Sequence, residues 1–319
     1  LRARGAFNTA MRTPVRCGLV LAALCAADLS GQSTLASLFD TYEVSARWTQ
    51  LPAGQSWGAS TSSVAADGRG TVVVLVRAAP YFRAFSRDGQ PVKQWGDAGL
   101  FTLAHSVHFD PDGALWATDP DAHVVHKFGP DGRILMTLGT KGTPGDNSSR
   151  TSFNKPNALA FSPDGDIFVS DGYENSRVVQ FAKDGRFIRI IGGKKGSAAG
   201  ELQLPHGVAI DPQGRVIVAD SDNKRLSIFD REGRFLKTIA VPCRGNVVAA
   251  PDGTIYASDV NAGVVVVVRR DQIADVIKVD GRPHGLTVDP TTGDVYTSST
   301  APNQWNITKA RAKEVEGKK

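Results

Sequence analysis

The 319-residue sequence predicts an all-β chain, a six-bladed β-propeller closed by a strand from the N-terminal side. Three observations predict it. A turn phrase of the Pro-Asp-Gly kind recurs six times, and apolar runs of period two flank its copies. Long runs of helix formers are nearly missing, whereas Gly 33 and Pro 17 are plentiful, the mixture of short strands joined by turns. Hydrophobic content of 41% suffices for a core, and a repeat architecture accounts for this length with one domain rather than two.

Residues 1–32 stand apart. Met11-Arg12-Thr13-Pro14-Val15-Arg16 is basic, Cys17 to Leu29 is apolar, and Ser30-Gly31-Gln32 is small and polar. That order is a secretory signal, with Leu1 to Ala10 read as translation upstream of Met11. The apolar stretch is shorter than the about 20 residues a membrane span needs. A secreted or periplasmic protein with no span after signal cleavage is therefore expected. Two of the three cysteines lie in this segment, leaving Cys243 and no disulfide in the mature chain. The propeller is expected over 40–308, followed by a basic tail over 309–319.

The repeats follow in order. The first turn of each is Ala66-Asp67-Gly68, Pro111-Asp112-Gly113, Pro163-Asp164-Gly165, Pro212-Gln213-Gly214, Pro251-Asp252-Gly253 and Pro290-Thr291-Thr292-Gly293. The spacing is roughly 40–50 residues. An apolar run precedes the turn (Ala158-Leu159-Ala160-Phe161) and another follows it (Ile167-Phe168-Val169-Ser170-Asp171). A third run, such as Arg177 to Phe181, leads to a second turn, such as Asp184-Gly185, and a fourth run ends near Gly192. Four strands broken by Asp-Gly turns make one antiparallel blade, and stacked blades supply the core. The last repeat lacks a clear fourth strand, and Glu43 to Trp48 is expected to fill that place and close the ring.

Second runs that end in Asp and continue through Asn-x-Arg, as in Asp171-Gly172-Tyr173-Glu174-Asn175-Ser176-Arg177 and Asp220-Ser221-Asp222-Asn223-Lys224-Arg225, resemble NHL repeats. The resemblance spans essentially residues 55–300.

Function must come from side chains on the axis, because propellers host many roles. The position seven residues before the middle of each first turn reads Ser60, His105, Asn157, His206, Gly245 and His284. Histidine therefore recurs on blades two, four and six. Three imidazoles at one register form a tripod suited to an open catalytic zinc site. Iron, cobalt or copper suits the same ligands. His108, His123 and His126 have no partners at matching positions and read as structural.

A closer resemblance follows from Val169 to Phe181, from Leu204-Pro205-His206-Gly207 and from Arg282-Pro283-His284-Gly285, which are similar to stretches of the peptidyl-α-hydroxyglycine α-amidating lyases. The resemblance implies one zinc ion on His105, His206 and His284, with Tyr173 as catalytic base and Arg77 meeting substrate. Arg77, Arg282 and Asn157 are the expected substrate contacts. Arg282 stands where the family has Met, and Ser221 where it has a second Arg, so the two changes are expected to compensate. Gly285 replaces the family's calcium ligand, which argues against structural calcium, and Glu174 replaces a disulfide Cys. A C–N lyase acting on a small-molecule or peptide substrate is the expected function, with a non-catalytic propeller scaffold for a protein or glycan as the alternative.

The net charge of +5 gathers in Arg2, Arg4, Arg12, Arg16 and the tail from Lys309, so the propeller itself is nearly balanced. No aromatic-basic stripe suited to base stacking is visible. A monomer with no nucleic-acid partner is expected.

Overall fold

The computed structural model describes residues 41–301, 304 and 306–313. The expected signal segment lies outside the described residues. Among these residues no helix is long and apolar enough to cross a membrane.

The chain forms six four-stranded antiparallel sheets arranged as the blades of a β-propeller. Each blade runs outward from a first strand at the axis. These first strands are Thr61–Ala66, Ser106–Phe109, Ala158–Phe161, Pro205–Ile210, Val247–Ala249 and Pro283–Val288. They contact one another in sequence, and the last meets the first. The second strands, such as Ile167–Asp171 and Val216–Asp220, are buried along their whole length. Outer strands such as Phe187–Gly192 are mostly half-buried. This gradient is what a blade packed on both faces near the axis and exposed at the rim must show.

The core is divided among the blade interfaces. One apolar cluster lies between each pair of neighbouring blades, as where Leu226 and Ile228 of blade four pack toward Val264, Val266 and Val268 of blade five. Val265 and Val267, the alternate residues of that strand, face blade six with Leu286 and Val295. Period-two alternation thus feeds two cores from one strand. Burying such a side chain contributes about 1.5–3 kcal/mol, which makes each blade dependent on both neighbours.

The ring closes as the sequence predicts. The strand Tyr42–Ser45 is the outer strand of blade six, pairing antiparallel with Ile307–Ala312 from Tyr42 opposite Ala312 to Ser45 opposite Lys309. Trp48 lies past a turn, where its N–H donates to the Ile307 carbonyl at 2.9 Å. The propeller strand also runs beyond the expected boundary at 308. Lys309 and Arg311, which read as the start of a solvated tail, are strand residues held on the buried Asp294 at 3.0 and 2.7 Å. A buried carboxylate on the neighbouring strand gives these cations a reason to stay in the sheet.

The phrase that runs from a strand-ending Asp through Asn-x-Arg is a fastening. Asp171, at the end of its strand, accepts hydrogen bonds from Asn154 N and from Asn175 Nδ2, both at 2.8 Å, and from Arg177 Nε at 2.9 Å. Arg177 is fully buried and donates onward to the Ser149 and Ser152 carbonyls. Asn175 Nδ2 also reaches the Gly145 carbonyl, and Ser176 N donates to Asn147 Oδ1, both at 2.8 Å. The loop entering blade three is therefore tied to the turn that carries Tyr173.

Candidate metal centre

The three ring histidines converge. Their ligand atoms lie within 4.8 Å of one another, with ring centroids 4.8, 5.1 and 5.4 Å apart. Each imidazole is fixed by the next blade in the ring. His105 Nδ1 is 2.8 Å from the Asn157 carbonyl, His206 Nδ1 is 2.9 Å from the Gly245 carbonyl, and His284 Nδ1 is 2.8 Å from the Ser62 carbonyl. A carbonyl only accepts, so each Nδ1 carries the proton and each Nε2 keeps its lone pair for the axis.

The charge state agrees with that tautomer. Burial lowers the His206 pKa to about 3 and that of His284 to about 4, and it holds His105 well below the usual range, with the other two imidazoles adding to the effect. Neutral imidazoles with Nδ1–H on backbone carbonyls are the donor set and outer-shell arrangement of a histidine-bound metal. These residues fit zinc.

Tyr173 closes the site. Its phenol oxygen lies 2.7 Å from His105 Nε2 and 3.4 Å from His206 Nε2. The residue is 38% exposed, so the ring can be reached from solvent while its hydroxyl stands among the imidazoles. Gly172 sets this placement. Its N–H donates to Asn157 Oδ1 at 2.8 Å, and a Cβ at that position would lie 2.1 Å from the Pro205 carbonyl oxygen. Only glycine lets the turn lie so close to the strand of His206.

Burial raises the Tyr173 pKa, against which the Arg77 charge, the Asn157 amide and the Arg244 charge all act. Asn157 is fully buried, and its Nδ2 bears on the phenol without closing a full hydrogen bond. Its other atoms organise the site, the carbonyl holding His105 and the side-chain oxygen holding Gly172. Arg77 follows the strand Thr71–Val76, and burial lowers its pKa while Tyr173 and Asp121 act against that. Arg282 lies two residues before His284 and is exposed, with its backbone N–H on Ser299 Oγ. At Gly285 a Cβ would lie 2.4 Å from the Ser63 Cα, so backbone packs where a side chain would begin.

Two residues at the mouth escape a reading of the ring position. Arg244 precedes Gly245, whose carbonyl accepts from His206 Nδ1, and pairs with Asp222 at 3.3 Å. Asp121 opposes Arg77 and lies 3.6 Å from Lys155 Nζ. Asp121 stands two residues past a strand-ending Asp, the place Tyr173 holds in blade three. Aligning that second position would have revealed it.

Comparison with known proteins places this geometry. Residues 102–251 match the family model described as SMP-30/Gluconolactonase/LRE-like region. Peptidyl-glycine alpha-amidating monooxygenase A of Xenopus laevis is 38% identical over 169 residues, covering 50% of this chain and 18% of that protein. A probable peptidyl-alpha-hydroxyglycine alpha-amidating lyase of Caenorhabditis elegans is 36% identical, covering 45% of this chain and 41% of that protein. The chain is similar to NHL-repeat propellers and to amidating lyases. Human NHL repeat-containing protein 3 is 27% identical over 82% of both chains. Among solved structures, a gluconolactonase from Xanthomonas campestris superposes with a TM-score of 0.65 at 16% identity, over 88% of this chain and 93% of that one. A streptogramin B lyase does so with 0.59 at 13%, over 85% and 98%. These structural likenesses speak to the fold.

Proposed function

We propose that this chain is a secreted or periplasmic zinc-dependent C–N lyase that acts on a hydroxylated glycine-type amide and releases the amide and glyoxylate. The observation that carries the reading is the convergence of three imidazoles, with one phenol oxygen 2.7 and 3.4 Å from the Nε2 atoms of two of them. His105, His206 and His284 would hold the ion, which when bound supplies Lewis acidity toward a substrate hydroxyl.

The chain's own residues do the rest. The planar guanidinium of Arg77 suits the substrate carboxylate, since it can offer two donors to its two oxygens. Tyr173 Oη removes the hydroxyl proton while the C–N bond breaks, and a proton returns to the departing amide nitrogen. The reaction R-CO-NH-CH(OH)-COO⁻ to R-CO-NH₂ and OHC-COO⁻ so balances without net proton change. Burial alone works against phenol ionisation, whereas a divalent charge on the imidazoles and the Arg77 guanidinium favour it.

The test is elemental analysis with a glyoxylate assay on the same preparations. About one zinc per chain, lost in His206→Ala together with glyoxylate release from an α-hydroxyglycine peptide, is the expected result. Release that persists without the metal would overturn the reading. A second reading, a non-catalytic scaffold, is favoured by the match to NHL repeat-containing protein 3 along 82% of both chains. Stoichiometric, chelatable zinc decides against it. We also take the chain to act as a monomer without nucleic acid, calcium or a membrane span.

A further inference from the structure

The mouth above the histidine tripod is electrostatically lopsided. Arginines approach it from three consecutive blades: Arg244 from blade five, Arg282 from blade six and Arg77 from blade one. Their backbones are anchored to the ligand-bearing segments. Arg244 is bonded covalently to Gly245, whose carbonyl fixes His206. Arg282 donates to Ser299 Oγ at 3.1 Å, accepts from Thr300 N at 3.1 Å and leads through Pro283 into His284. Arg77 N donates to the Ser60 carbonyl at 3.0 Å, at the ring position of blade one. All three therefore stand at the end of the propeller where the ring position lies, Arg77 on Ser60, Arg244 beside Gly245 and Arg282 two residues from His284.

The acidic residues of the facing arc are each paired with a cation, Asp121 with Lys155 at 3.6 Å and Asp222 with Arg244. Asp121 comes from blade two and Asp222 from blade four, and the second of these engages Arg244 at 3.3 Å. Among the described residues, the guanidinium groups of Arg77 and Arg282 have no ion-pair or hydrogen-bond partner. One α-carboxylate satisfies one guanidinium. The other remains an exposed cation without a partner beside a site that already gathers positive charge, and it is free to pair with a second anion.

We propose that the mouth selects substrates with a second anionic group on the acyl side, Arg77 taking the glycine-derived carboxylate and Arg282, helped by Arg244, taking the other. The substrate class is then a short dicarboxylic acid joined through one carboxyl to hydroxyglycine. The assignment of the first carboxylate rests on the lyase reading. The second anion site does not, because it follows from the position and unpaired state of Arg282.

The test compares two uncleavable ligands, N-succinylglycine and its neutral isostere N-succinamoylglycine, titrated calorimetrically into the zinc-loaded protein. About tenfold tighter binding of the dianion is expected, as for a charge-assisted pair, and it should weaken with salt. Arg282→Gln and Arg244→Gln should each narrow the margin, and together bring it within about twofold. Both side chains are exposed, so unchanged melting curves are expected to show that the fold is kept. Equal binding in the unaltered protein, or a margin that survives both substitutions, overturns the proposal. Glyoxylate release from the two matching α-hydroxyglycine conjugates is measured alongside. No release with an arginine-dependent margin would remove the lyase reading and leave the anion site. Release from both without preference would do the reverse.

Discussion

At the residue scale the site depends on where protons sit. Three backbone carbonyls, at 2.8, 2.9 and 2.8 Å, hold the Nδ1 protons of His105, His206 and His284, so no side chain has to be charged to orient a ligand. Among the described residues, Tyr173 is the one hydroxyl placed against two of the Nε2 atoms. Tyr173→Phe keeps the ring packing and removes the proton acceptor. Glyoxylate release should fall about 10²–10⁴-fold while zinc content is unchanged. Activity within a few fold of the parent would assign the proton transfer elsewhere.

The same histidines make stability depend on pH in the metal-free protein. Their folded pKa values, about 3 for His206 and about 4 for His284, lie below the 6.5 of an unburied imidazole. Between those values the unfolded chain binds more protons than the folded one. The stability is therefore fully present above about pH 6.5 and declines as pH falls toward 4. The melting temperature of the chelated protein should drop over this window, and His206→Gln should flatten the drop. Parallel curves for the two proteins would show that other groups govern the acid limb.

At the scale of the element, the turn that carries Tyr173 is as rigid as its fastening. The Asp171–Arg177 pair is wholly buried, and Arg177 also donates to two loop carbonyls. Burial raises the Asp171 pKa, with Arg177 as the largest opposing influence, so truncating the arginine strands a buried carboxylate. Arg177→Ala should cost about 3–5 kcal/mol in denaturant unfolding. Arg225→Ala in blade four should cost less, because Arg225 keeps 16% of its side-chain surface in water. Equal losses would mean that burial does not set the strength of these fastenings. The phrase that builds them is visible in sequence as an Asp followed, after two or three intervening residues, by Asn-x-Arg, because every member is local. The histidines are visible for a related reason, each falling at one repeat position, so that periodicity substitutes for distance. Arg244 is hidden, since its blade offers only Gly245 at that position and the arginine acts across a turn. Lys309 and Arg311 look like tail in the sequence because a buried partner such as Asp294 cannot be seen along the chain.

At the scale of the whole molecule, six apolar interfaces hold six blades, and the sixth forms only where the first and last blades meet. The N-terminal strand makes that meeting specific. Tyr42 is buried against Tyr256, with ring centroids 6.5 Å apart and hydroxyls 3.1 Å apart, while Trp48 packs edge-on against Tyr296 at 4.9 Å and Phe85 at 6.3 Å. The short segment from Tyr42 to Trp48 thus bridges the interface of blades five and six and that of blades six and one. Because His284 sits on blade six and leans on Ser62 of blade one, the same closure holds the third ligand in register. Removing residues 41–48 should therefore lower the melting temperature and weaken zinc binding together, with His284 released while His105 and His206 stay. Trp48→Ala should act in the same direction, by about 3–5 kcal/mol on stability. Calorimetry and zinc titration of the two variants check this. Zinc affinity unchanged in a truncated protein of lower melting temperature would show that the tripod is held by the axial strands alone.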